Sequence, residues 1–292
     1  MNRPSYPSDL TDAQWTFIEP HLPSIGESTF CETVSRRELV NGIRYVLRSG
    51  VQWRMLPHDL PNWRTVYFYH NLWAKNAVWE RVNAALVSEE RERKGRKAGP
   101  SAAVCDSQSV KTTQKRGARG YDGNKKIKGR KRHIATDTDG NLLACRTTPA
   151  NEGEREGMKP VLNIVKQNHA TLKKVYVDGG YSGEPFKVWG KTTLNLDVEV
   201  VLRQDAGVTV KDGIATLATS TPTPEEFTMA VSLARTGGKG FKVVAKRWVV
   251  ERTFAWLLNF RRLKVDYEER IDVSEGFVYL AMSCILLTRL FA

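Results

Sequence analysis

The chain predicts an α/β protein: a mixed sheet with helices packed on it, preceded by an N-terminal all-helical domain of helix-turn-helix-like character. Three observations carry this. Apolar residues recur at helical spacing through the first 95 residues. A charged, Lys- and Arg-rich run from Glu89 to Gly99 then reads as a linker. Beyond it, short apolar runs between turn residues give the order strand, hairpin, helix, strand, helix, strand. The expected domains are 1–95 and 96–292, the second with an insertion at about 204–240.

Asp9 or Thr11 can cap a first helix through Trp15 and Ile18, stopped by Pro20 and Pro23. Ser35 opens a second helix with an inward stripe of Leu39, Ile43 and Val46, closed by Gly50. Asn62 caps a third, carrying Trp63, Arg64, Tyr67 and His70, after the turn-rich stretch Val51 to Pro61. A fourth runs from about Lys75 to Arg93. The expected strands are Ser101 to Val110, Arg130 to Thr136 with Leu142 to Thr148 about Asp139-Gly140, Lys174 to Val177, and Asp197 to Leu202. Helices are expected over Arg155 to Asn168, Pro185 to Trp189, Phe241 to Phe260 and Val273 to Phe291, and a hairpin at Val208 to Leu217.

Lys and Arg number 45 against 32 Asp and Glu, a net charge of +13. Such an excess suits a protein that works along a polyanion such as double-stranded DNA. Cys31, Cys105, Cys145 and Cys284 show no metal-site spacing, which argues against a zinc finger. The first residues, MNRPSYPSDL, have no apolar signal core. The apolar stretch Phe277 to Ala292 is shorter than the roughly 20 residues a membrane span needs, so a buried closing helix and no membrane partner are expected.

Three acids stand where acids are costly. Asp106 interrupts the run Ala102 to Cys105, Asp178 ends Val175-Tyr176-Val177, and Glu251 sits in an aromatic and basic helix with Arg247 one turn before it. Three converging carboxylates can hold hard cations such as Mg²⁺, and two ions suffice for phosphodiester chemistry. Taken singly, each has a plainer reading as a cap, a turn residue or a helix ion pair. Asp137 and Asp139 read as hairpin chemistry beside Gly140. Between Lys111 and His133 stand ten Lys or Arg, including Lys111, Lys125, Lys126, Lys128, Arg130, Lys131 and Arg132, with Asp122 as the one acid. They are expected to grip DNA phosphate, as are Lys246, Arg247, Arg252, Arg261 and Arg262 around Glu251. If about six meet phosphates, affinity falls with salt at a log–log slope of roughly −5. Arg64 and Tyr67 are the candidates for reading bases.

The motifs Cys-Asp-Ser-Gln-Ser-Val-Lys-Thr-Thr (105–113), Gly-Asn-Lys-Lys-Ile-Lys-Gly-Arg-Lys-Arg-His (123–133), Asp-Gly-Gly-Tyr-Ser-Gly (178–183) and Arg-Trp-Val-Val-Glu-Arg-Thr-Phe-Ala-Trp-Leu (247–257) come in that order. With Leu10 to Trp15 and Arg48 to Pro57 they resemble bacterial insertion-sequence transposases of the DDE type, the insertion-sequence-five (IS-five) family. The resemblance implies an RNase H-like catalytic domain, with Asp106, Asp178 and Glu251 as catalytic and metal-binding residues. It implies two Mg²⁺ ions per site, which Mn²⁺ can replace. Its substrates would be the element's terminal inverted repeats and target DNA. A homodimer or higher oligomer on paired ends, in the bacterial cytoplasm at the nucleoid, is also implied. Val244 and Leu258 stand where relatives carry Tyr and Lys. A nuclease that cleaves without joining, and a non-catalytic DNA-binding protein, are the alternatives. The three intact acids count against the second.

Overall fold

The computed structural model describes residues 3–24, 34–114, 117–201, 208–211, 214–217 and 247–291. Cys31, Lys246 and most of the 204–240 segment lie outside these, as does the Arg247 side chain.

Local chemistry starts the helices where the sequence suggests. The first, α1 (Asp12–Ile18), begins at a capping box in which Thr11 and Gln14 each satisfy the other's backbone N–H. Ser35 caps α2 (Arg36–Ser49), and Gly50 ends it at φ 73°. Asn62 caps α3 (Trp63–Lys75), and α4 (Val78–Arg93) follows almost at once. The connection between α2 and α3 occupies residues 50–62 and contains a 3₁₀ turn, Trp53–Met55. It is longer than the 3–4-residue turn of a compact helix-turn-helix. It matches the turn-rich stretch expected at Val51 to Pro61 and is not the compact turn of a helix-turn-helix. The cause is Trp53, Leu56 and Leu60, which bury into the core and shape the link as a packed segment.

The sheet comprises β1 (Ala102–Lys111), β2 (Gly120–Asp122), β3 (Ile127–Thr136), β4 (Leu142–Pro149), β5 (Lys174–Val177) and β6 (Asp197–Val200). Strand β3 lies antiparallel to β1, and β1, β5 and β6 run parallel. Strands β2 and β4 share the outer edge of β3, β2 opposite residues 127–129 and β4 opposite most of the remainder. The order is thus β2 or β4, then β3, β1, β5, β6. Short β2 was not expected, because it lies in a Gly-rich basic tract without alternation. Helix α5 (Glu154–Asn168) joins β4 to β5, and α6 (Glu184–Leu194) joins β5 to β6. The expected hairpin at 208–217 is an antiparallel pair, β7 (Val208–Lys211) and β8 (Ile214–Leu217). Helix α7 (Arg247–Leu257) carries Glu251.

The closing helix α8 (Ile271–Leu290) is almost wholly buried and packs against α3, α4 and β4. It is long and apolar enough to cross a membrane, yet 78% of that window is buried within the protein. The apolar core therefore runs unbroken from the N-terminal helices into the sheet.

Candidate active site

Strand register builds the site. In the parallel β1–β5 pair Val104 stands opposite Tyr176, so Asp106 and Asp178 lie two residues further along neighbouring strands. Asp178 follows the last residue of β5 and caps a 3₁₀ turn, accepting from Gly180 N–H at 2.9 Å. Asp106 accepts from Ser107 N–H at 2.7 Å. Both line a small cavity with Val104, Cys105, Tyr176, Val177, Val201 and Val250. Burial against this apolar floor pushes the Asp106 carboxyl up to about 7, and the neighbouring Asp178 charge adds to it, against the Ser107 N–H and Lys125.

The structure thus brings two of the three expected acids together. Glu251 is carried on α7, which leans on β1 and β3, and is exposed immediately after Val250. Among the described residues no three His, Cys, Asp or Glu side chains converge closely enough to hold an ion as they stand. The donor chemistry nevertheless fits a hard divalent cation. Two carboxylates on adjoining strand ends, over an apolar floor, are best relieved of mutual repulsion by a cation that takes oxygen ligands.

A fourth acid, Glu154, was not singled out from the sequence. It opens α5, receives a hydrogen bond from Ser107 Oγ at 3.1 Å and lies 3.7 Å from Lys125 Nζ. A Cβ added at Gly180 would collide with Glu154 Oε2 and lie 3.1 Å from Asp178 Oδ1, so the two carboxylates face one point. The only local signal was an acid in a helix's first turn, which the helix dipole alone would explain. Beside these residues opens a cavity of about 530 Å³, lined partly by Tyr121, Lys125, Arg155 and Lys159.

The basic tract divides in two. Lys111, Lys125, Lys126 and Lys128 are exposed, and so are Arg64, Tyr67 and Arg261. The expectation that Arg130, Lys131 and Arg132 grip DNA is corrected: β3 lies inside the sheet, and all three are buried. Arg130 donates to Asp266 Oδ2 at 3.0 Å and to the carbonyls of Ala118, Glu268 and Glu269. Lys131 donates to Glu152 O at 2.9 Å and pairs with Asp122 at 3.6 Å, while Arg132 donates to Leu263 O at 2.9 Å. His133, at the end of the same tract, is a buried strand residue whose pKa burial lowers to about 3. Arg262 is likewise buried, its guanidinium held by Glu268 at 2.6 Å. Arg252 is half-buried between Trp248 and Trp256, so it too is occupied by the protein.

Comparison with known proteins finds transposases. A family model described as "Transposase DDE domain" matches residues 97–286, and one described as "Putative transposase of IS4/5 family" matches residues 10–83. The chain is 27% identical over 166 residues to the "Putative transposase for insertion sequence element IS402" of Burkholderia cepacia, covering 54% of this chain and 62% of that one. It is 32% identical over 88 residues to an uncharacterised 16.2 kDa protein of the same element, covering 28% of this chain and 60% of that one. The chain therefore spans about three fifths of the length of these curated relatives. A match over the sheet, its helices and most of the closing helix establishes that the chain belongs to the DDE transposase family, and its N-terminal part is similar to the IS4/5 model.

Proposed function

We propose that this protein is a DNA transposase that binds the terminal inverted repeats of its own insertion sequence, cleaves phosphodiester bonds there and joins the freed 3′-hydroxyls to target DNA. The observation that carries the proposal is the register that sets Asp106 beside Asp178, with the Glu251 helix against the same cavity. The sheet order, with a three-strand antiparallel part and two added parallel strands, supports an RNase H-like catalytic domain. Asp106, Asp178 and Glu251 would hold two Mg²⁺ ions, or Mn²⁺ in their place. When bound, such ions neutralise charge at the phosphate and acidify the attacking water.

The chain's own residues do the rest. The two aspartates hold the acidic centre rigidly, on strand ends braced by the ladder. Lys125 lies close enough to Asp106 to stabilise its charge, and it donates to Ser107 O at 3.2 Å, so it stands where a phosphate would approach. Lys111, Lys126, Lys128 and Arg261 extend an exposed basic surface for the duplex. Lys246 and Arg247 belong to the same proposal. In the first step water adds to phosphorus and the 3′-oxygen leaves as a hydroxyl. In the second that hydroxyl attacks a target phosphodiester and expels a target 3′-oxygen. The N-terminal helices, with Arg64 and Tyr67 exposed on α3, would read the repeats. Paired ends require two or more copies of the chain, acting on DNA in the bacterial cytoplasm.

The test is incubation of purified protein with Mg²⁺, duplex DNA bearing its own element's ends and a labelled target. Cuts at the ends together with joined products support the reading. Cuts without joining reduce it to a nuclease, and binding without cuts makes it a DNA-binding protein.

A further inference from the structure

Resting on the transposase reading, we infer that Arg252 is a positioning residue for Glu251, and that the turn between β3 and β4 is the anchor it uses. Arg252 follows Glu251 on α7. Its guanidinium lies 4.2 Å from the Trp248 ring centre and 4.5 Å from that of Trp256, and Arg289 of α8 also lies over the Trp256 ring at 4.4 Å. The guanidinium therefore packs against two indole rings of its own helix. Its Nη2 donates to Asp139 O at 2.8 Å. The next residue, Thr253, is fully buried, with its hydroxyl 2.9 Å from Gly140 O. Gly140 has φ 87°, and a Cβ there would press on Thr253 and Trp256. Two consecutive side chains directly after Glu251 thus pin α7 to one turn.

That turn is itself rigid. Asp137 is fully buried and accepts from Arg91 Nη1 at 2.7 Å and from the N–H groups of Asp139 and Asn141 at 2.9 Å. Arg91 comes from α4, so the anchor also ties the N-terminal helices to the helix bearing Glu251. Side chains next to a helical position help fix its rotation, because successive side chains are spaced evenly around the axis. A rotation of about 10° moves a carboxylate at the helix surface by about 1 Å. Errors of that size cost about 100-fold where reacting groups must be held in place. The two turn contacts hold the angle at which Glu251 meets the space beside Asp106 and Asp178.

The test uses the full-length protein on its duplex end, with Mn²⁺ binding followed by electron paramagnetic resonance of the free ion. Glu251→Gln sets the effect of removing the ligand. Arg252→Ala is expected to weaken Mn²⁺ binding by about tenfold, in the range for groups that support metal ligands. Arg252→Lys, which keeps the charge but not the stacked plane, is expected to fall between Arg252→Ala and wild type. DNA affinity in EDTA is expected to match wild type in both variants, and the unfolding midpoint to match it in Arg252→Lys. Unchanged Mn²⁺ affinity in both Arg252 variants overturns the inference. So does a loss of DNA affinity in EDTA, which would make Arg252 a phosphate contact, or a fall in unfolding midpoint in both variants that tracks the Mn²⁺ loss. If Arg252→Ala does not fold, Arg252→Lys decides. A wild type that binds Mn²⁺ through Glu251 but cuts no element end sinks the transposase reading alone. A wild type that cuts, with Arg252 variants that bind Mn²⁺ normally, sinks this inference alone.

Discussion

Charge on a side chain says little about what that charge meets. Lys128 is exposed, whereas Arg130, two residues on, is enclosed by Asp266 and three carbonyls. Both read alike in a run of Lys and Arg. Lys128→Ala is therefore expected to leave stability within about 0.5 kcal/mol and to lower the salt slope of DNA binding by about 1. Filter binding across a salt series measures this; an unchanged slope would remove Lys128 from the interface. On the proposed function Asp178→Asn should act oppositely, because it would remove a metal ligand and not a phosphate contact. Cleavage is expected to fall by about 100-fold or more, a loss of about 3 kcal/mol at the transition state. DNA binding in EDTA should stay within about twofold. Retained cleavage by this variant would exclude Asp178 from the catalytic centre.

At the level of elements, β3 is central to the sheet, and its polar residues brace it against the segment before α8. Arg130→Ala would leave Asp266 buried and short of a cation, although Ser274 Oγ and Glu268 N–H still donate to it. A loss of about 3 kcal/mol in stability is expected by urea unfolding. A loss below about 0.5 kcal/mol would mean that β3 does not need this pair. The strands and helices were largely legible, since capping residues, Gly50 and Asp139-Gly140 act locally. Strand β2 and the role of Glu154 were not. Both depend on what lies opposite them, which a run of residues does not record. Along the sequence Asp137 reads as ordinary hairpin chemistry. The turn does use it so, but Arg91 makes it a junction between α4 and the sheet.

For the molecule as a whole, α8 ties the N-terminal helices to the sheet, so acid should disturb both together. His70 is buried beside Phe277 of α8, and burial lowers its pKa from 6.5 to about 3. The folded state then binds fewer protons than the unfolded one below pH 6.5, so His70's contribution is complete above that value. It is lost as pH falls through the window toward 3. Glu275, raised to about 7 by burial, works in the other direction between pH 4.5 and 7. Its contribution is complete below the unfolded value and is lost as pH rises. His70→Leu isolates the histidine. Relative to wild type, the variant should gain about 1.4 kcal/mol per pH unit between pH 6 and 4. Urea unfolding at several pH values checks this, and parallel curves for the two proteins would refute it.

The amino-acid order alone determined the succession of helices and strands, the places of Asp106, Asp178 and Glu251, and an excess of positive charge suited to DNA. These follow from periodicity, capping and residue chemistry, all readable along one dimension. Only the tertiary structure decided which basic residues are available, that Glu154 lies beside Ser107 and Gly180 next to the two aspartates, and that α7 is pinned to the turn holding Asp137. Those outcomes depend on strand register and on which faces are covered, and both are set by contacts between residues far apart in the chain.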